Sequence, residues 1–232
     1  AQSTANKKNI FKIGVIGFLA GLAPDLDILI KSSTDPILFL EYHRQFTHSL
    51  FFIPFGSLIV ALMLFPFVKS SMSIKTVYYA SLLGYATHGL LDACTSYGTQ
   101  LFWPFSNERV TWNNISIVDP LFTIPVLILV VIAIKTKKKI FSFFSIGWII
   151  FYLSLGFIQY ERALLAAVEL AQMRGHSPER LTLKPSFGNL ILWKSIYQHK
   201  ETFYVDAIRT AQSSTWCTGE STRVFDYQYH LP

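Results

Sequence analysis

The sequence predicts an all-α integral membrane helical bundle of about five spans, with a small C-terminal extramembrane tail of short strands. Three observations carry that expectation. Hydrophobic residues make up 51% of the 232 and charged residues only 15%, against roughly 25% charged in soluble domains. Five apolar stretches, residues 10–30, 49–68, 76–94, 118–134 and 140–158, approach the roughly 20 residues that a bilayer core requires. The charges between them are sorted by sign. If the stretches alternate across a membrane, Lys7, Lys8, Lys12, Lys69, Lys75, Lys135, Lys137, Lys138 and Lys139 share one side with no acidic residue. The other side receives Lys31, Arg44 and Arg109 against Asp25, Asp27, Asp35, Glu41, Asp92, Glu108 and Asp119. Short basic loops stay in the cytoplasm, so the acidic side is read as the outer one.

The elements follow in order. The first stretch is interrupted by Pro24, with Gly21 nearby, where the backbone can open around Asp25 and Asp27. Pro54, Pro66 and Pro125 are tolerable kinks in membrane helices. Apolar runs also occur in buried helices of soluble bundles, but five of near-span length in a chain this short favour lipid as solvent. Residues 159–174 are rich in helix formers with mixed charge and read as a surface or interfacial helix, ended by Gly175 and Ser177-Pro178. Beyond them, alternation in Thr202-Phe203-Tyr204-Val205-Asp206 and the run Leu190-Ile191-Leu192-Trp193 fit short strands. The organisation expected is a polytopic membrane domain over residues 1–158 and an interfacial helix with a small extramembrane domain over residues 159–232. The net charge of +6 is concentrated on the lysine side, which argues against nucleic acid as a partner. Cys94 and Cys217 have no CxxC spacing and read as unpaired thiols. The polar residues 1–9 hold no signal-peptide core, and a start at Ala1 marks a processed, engineered or partial chain.

The chemistry-bearing residues lie at the edges of these stretches, where ionisable groups are expensive and mark function. His88 and Asp92 are four apart, so on a helix they project from one face about one turn apart. Asp25 and Asp27 are two apart, and His43 and His48 flank Arg44 and Thr47. Each pair alone has a bland reading: a hydrogen-bonded structural pair, a polar helix end, an interfacial loop. Together they bring six oxygen and nitrogen ligands to one membrane face, the set that divalent zinc, manganese or iron takes. The expectation is one or two divalent ions held by Asp25, Asp27, His43, His48, His88 and Asp92, with zinc preferred. Arg44 is the candidate clamp for an anionic substrate group, or else an arginine reaching to headgroups. Asp119 is a candidate catalytic carboxylate, or else a helix-start charge favoured by the dipole.

At these residues the chain resembles the YdjM-type membrane-bound metal-dependent hydrolases of bacteria and archaea. The resemblance rests on Pro24-Asp25-Leu26-Asp27, on His43-Arg44-x-x-Thr47-His48-Ser49, and on His88-x-x-Leu91-Asp92-x-x-Thr95-x-Tyr97-Gly98-Thr99-Gln100. Trp103-Pro104-Phe105-Ser106 and Ile117-Val118-Asp119-Pro120-Leu121 extend it, and the tail around residues 189–194 is similar to that of the longer members. It implies a bacterial or archaeal cytoplasmic (inner) membrane protein and metal-dependent hydrolysis. A distant likeness to zinc-dependent phospholipase C and P1-type nucleases points to phosphoester chemistry. Members open with Met-Asp-x-x-Thr, which residues 1–9 lack, so one further span and one or two further ligands are expected ahead of Ala1.

The functional expectation is therefore a multi-pass hydrolase with an outward-facing metal site, membrane lipid around it and a phosphoester or lipid-like substrate. No Gly-x-Ser-x-Gly elbow supports serine-esterase chemistry. A metal-ion transporter and a non-catalytic scaffold with a structural metal are the alternatives. A transporter would need polar groups deeper in the spans and on both sides; a structural site closes its coordination with protein ligands.

Overall fold

The structure, a computed structural model, describes residues 2, 9–35 and 37–224. Its helices are α1 (Ile10–Leu22), α2 (Leu38–Tyr42), α3 (Ile53–Val68), α4 (Ile74–Ala93), α5 (Pro120–Thr136) and α6 (Ile140–Met173). Short 3₁₀ turns cover Ala23–Leu29 and Phe46–His48. Five strands follow: β1 (Arg180–Pro185), β2 (Leu192–His199), β3 (Thr202–Thr210), β4 (Ser214–Cys217) and β5 (Ser221–Arg223).

This corrects the predicted fold class. The chain is not a five-span all-α bundle; its described residues combine six helices with a five-stranded antiparallel sheet. Among the described residues α6 is the one helix long and apolar enough to cross a membrane. The physical reasons are local. Pro24 stops α1 after 13 residues and turns the chain into a 3₁₀ segment. The second apolar stretch supplies only the 16 residues of α3, because the chain bends by 86° between the Leu38–His48 piece before it and Ile53–Val68. α4 has 20 residues but carries Tyr78, Ser81, Thr87, His88 and Asp92, so it is not apolar enough. α5 is apolar but 17 residues long. α6 instead runs 34 residues, absorbing the predicted interfacial helix into one continuous element. Lys7 and Lys8 of the predicted cytoplasmic side lie outside the described residues.

Two compact units divide the chain: residues 1–112 with 122–149, and residues 113–121 with 150–232. In the first, α1 crosses α4 so closely that a Cβ on Gly84 would overlap the Gly17 carbonyl. Ile10, Ile13 and Ile16 of α1 pack with Ala61 of α3, Met72, and Val77 and Ala80 of α4. That core fixes the far ends of α1 and α4, where the first candidate ligands stand. In the second unit, the sheet has order β1-β2-β3-β4, with β5 also on β3. Period-two alternation sends Leu183, Trp193 and Ile208 onto Ala163, Ala166, Ala167 and Leu170 of α6. Arg174, past the end of α6, forks onto buried Asp206 with Nη–Oδ distances of 2.7 and 2.9 Å.

Candidate metal centre

The site lies in the first unit, where the 3₁₀ segment after α1, the turn before α3 and the last turns of α4 meet. Side chains in a 3₁₀ helix are about 120° apart, so Asp25 and Asp27 face different ways. Asp25 Oδ1 lies 3.5 Å from His48 Nε2 and 3.3 Å from His88 Nε2. Asp92, one turn beyond His88, brings Oδ2 to 3.3 Å from His48 Nε2 and 3.5 Å from His88 Nε2. The two Nε2 atoms are 3.1 Å apart. These five separations bracket the ~3.3 Å edge of a tetrahedron of ligands about 2.0–2.1 Å from a zinc-sized ion. The four ligand atoms all lie within 4.8 Å of one another.

The donor set fits a cation on chemical grounds as well. Two imidazole nitrogens and two carboxylate oxygens face a common centre, and the buried Asp92 Oδ2 has no hydrogen-bond partner. Arg44 Nε is 3.0 Å from that oxygen but is not aligned to donate a hydrogen bond, so a lone pair is left toward the histidines. His48 is fully buried, whereas the Asp25 side chain is 44% exposed, which keeps one side open to solvent.

Asp27 and His43 stand beside this group of four. Asp27 is buried and accepts from His43 Nδ1 at 2.8 Å, the Arg44 amide at 3.0 Å and the Thr47 hydroxyl at 2.8 Å. Its Oδ2 also lies 3.2 Å from His48 Nδ1, and Thr47 Oγ1 is 2.9 Å from that nitrogen. With the Thr47 proton committed to Asp27, His48 Nδ1 is the donor here, and Nε2 is the atom turned into the cluster. A carboxylate behind an imidazole in this way fixes tautomer and ring orientation. Arg44 has φ 60°, a left-handed conformation held by its amide's bond to Asp27. Its Nη1 donates to Thr95 Oγ1 at 3.1 Å, and its guanidinium lies 4.8 Å above Tyr97.

Charge follows from this packing. Hydrogen bonds from His48 and then His88 hold Asp25 far below the usual carboxylate range. Burial pushes Asp27 up, but hydrogen bonds from His48, His43, Thr47 and the Arg44 amide outweigh it and leave it at about 2. Burial also opposes charge on His48, yet Asp25, Asp27 and Asp92 raise it to about 10. In the metal-free protein, then, a proton on His48 stands in for a cation.

Several residues here escaped the sequence reading as site elements. Arg109 donates to the carbonyls of Leu40, Glu41, His43 and Gly98, tying the turn down; nothing in its local pattern signals this. Gly89 lets α4 touch the histidine turn, since a Cβ there would collide with the His48 carbonyl. Tyr85 donates to the Thr47 carbonyl at 2.9 Å. Asp119 belongs to the second unit. Its Oδ1 accepts from the Leu121 amide at 3.0 Å, capping α5, and its Oδ2 accepts from Tyr152 at 2.8 Å. Cys94 and Cys217 are both free thiols.

Fold and site together define an α-helical and β-sheet protein with a partly buried two-histidine, two-carboxylate group capable of holding a metal. No solved structure matches the chain. The model of the YdjM inner membrane protein family matches residues 1–163, and the chain belongs to that family. It is also similar to the uncharacterized protein YfhP of Bacillus subtilis (strain 168), 33% identical over 107 residues. That match covers 46% of this chain and 32% of YfhP, about a third of the relative's length.

Proposed function

We propose that the chain is an inner-membrane metal-dependent hydrolase acting on a phosphoester, with a lipid-borne or headgroup ester as substrate. The observation that carries this reading is the convergence of Asp25, His48, His88 and Asp92 at tetrahedral spacing with Asp25 left accessible. Those four residues would hold one divalent ion, zinc in preference to manganese or iron. Such an ion supplies Lewis-acid polarisation of an ester and acidifies water toward a pKa of ~7. Asp27 and His43 hold the histidine turn in register behind it. Arg44 keeps Asp92 in place through Nε and Thr95 through Nη1, while its Nη2 makes no hydrogen bond among the described residues. That free edge suits an anionic phosphoryl oxygen.

The reading also places the site on the outer face. Lys12 bonds Ser71 at 2.9 Å, at the junction of α3 and α4, where Lys69 and Lys75 also lie. The ligands stand at the other ends of those helices. The positive-inside rule puts the lysine end in the cytoplasm. Four protein ligands would equally close a structural site; the accessible Asp25 carboxylate is what favours catalysis over that alternative.

The test is a screen of phospholipid, phosphodiester and carboxyl-ester substrates with the purified chain in detergent, with and without chelator. Metal-dependent cleavage of phosphoesters is expected, lost in His88→Ala and Asp92→Ala while both variants stay folded. Failure of the zinc-, manganese- and iron-loaded protein on every class, with unfolding of His88→Ala, would overturn the hydrolase and leave a structural metal.

A further inference from the structure

The second unit contains a surface that the metal centre does not use. On the sheet face turned away from α6, Lys184 and Lys194 sit directly opposite each other across β1 and β2. Arg209 projects from β3 on the same face, opposite Leu192 and diagonal to Lys194. All three are exposed, and among the described residues none is in an ion pair; the unit's own pair joins Arg174 to Asp206. Like charges directly opposite across strands are destabilising, so this grouping needs an anionic neighbour. An open groove of about 520 Å³ runs beside Lys194, lined by Leu192, Val205 and Ala207, with Asp206 and Glu220 as its carboxylates.

The level of this cluster along α6 is fixed by hydrogen bonds. Gln159 donates to the Thr210 carbonyl and Arg162 to the Ala211 carbonyl. The β3–β4 end of the sheet therefore lies beside the first polar turn after the apolar part of α6. The Tyr197 and Asp206 side chains bond Arg174, beyond the other end of that helix. The end near Gln159 carries exposed apolar tips: Phe187 is 71% and Ile191 47% exposed. Ile117, Val118 and Leu121, in the segment that meets Gly188 through Pro120, are exposed as well. Phe157 and Ile158 on α6 are exposed too. Apolar tips at a helix's exit from its apolar stretch, with cations one register step above them, match the profile of a bilayer interface.

We infer that this rim of the sheet docks on an anionic phospholipid surface, Phe187 and Ile191 entering the interface and Lys184, Lys194 and Arg209 holding headgroup phosphates. The docking is independent of the metal and of any hydrolysis. It is tested with the full chain in nanodiscs of phosphatidylcholine alone or with phosphatidylglycerol. A nitroxide at Ile191→Cys, in a Cys217→Ser background, is compared with one at Thr182→Cys farther from the rim. In anionic discs the 191 label should be more accessible to oxygen than to a nickel chelate, and the 182 label should not. Each cation removed by Lys184→Glu, Lys194→Glu or Arg209→Glu should weaken the docking about fivefold. Near-UV dichroism of the buried Trp193 checks that the sheet persists in these variants. Equal accessibility in both lipids, insensitivity to charge reversal with the sheet intact, or displacement by millimolar inorganic phosphate would each overturn the inference.

Discussion

Gly89→Ala is the sharpest probe of how the metal centre is positioned, because it alters no candidate ligand. The added Cβ would overlap the carbonyl of His48, so α4 and the histidine turn must separate. Alanine in place of a mid-helix glycine stabilises a helix by about 1 kcal/mol. Overpacking of this kind costs about 1–3 kcal/mol, so the net destabilisation is about 0–2 kcal/mol and the domain stays folded. The geometric effect is larger than the energetic one. Gly89 adjoins His88, and moving α4 carries His88 and Asp92 away from His48 and Asp25. The 3.1–3.5 Å separations among the four then open beyond what one ion can bridge. A displacement of about 1 Å should weaken zinc binding on the order of a hundredfold, the scale of the loss when a reacting constellation is displaced that far. Competition with a chromogenic chelator measures the affinity and thermal unfolding in detergent measures the fold. Native zinc affinity in a folded Gly89→Ala protein would refute the reasoning.

Other expectations follow from the same geometry. His48 is raised to about 10 from its ordinary 6.5, so an ion entering the site displaces its proton, and zinc affinity should rise about tenfold per pH unit between 6 and 9; isothermal titration in buffers of different ionisation heat would detect the released proton. The sign for metal-free stability is the opposite one: a raised histidine contributes fully below pH 6.5, and that contribution is lost as pH climbs through 10, which denaturant midpoints across the range should reveal. Asp27→Asn keeps the four facing atoms but loses the carboxylate behind His48, and should weaken metal binding about 10–100-fold without unfolding, as read by the same chelator competition. Asp206→Asn leaves the partly exposed Arg174 without its fork and should cost the second unit about 1–3 kcal/mol, visible as early loss of near-UV dichroism with zinc binding unchanged.

Much of the site was legible because its residues cluster at short spacings in sequence. The His88/Asp92 interval gives one helical face directly, and the Pro24-Asp25-Leu26-Asp27 and His43–Ser49 motifs announced two more segments. What the sequence could not assign was the division of labour. Asp25 and Asp27 are indistinguishable by composition; the 3₁₀ geometry of residues 23–29 turns one into the cluster and the other behind it. His43 likewise differs from His48 only through the left-handed turn at Arg44. The five-span reading failed because hydropathy sums over a stretch and is insensitive to where the backbone breaks.

By itself the sequence determined composition, the sorting of charge, the residue types around the site and the alternation of the tail strands, since these depend on neighbours a few positions apart. Tertiary structure alone decided that α6 runs unbroken for 34 residues while the other apolar stretches end short. It also decided that four atoms from residues as far apart as Asp25 and Asp92 meet within 4.8 Å. Close approach of backbones at Gly84 and Gly89 makes that meeting possible, and such contacts are long-range, set by packing complementarity that no local pattern encodes.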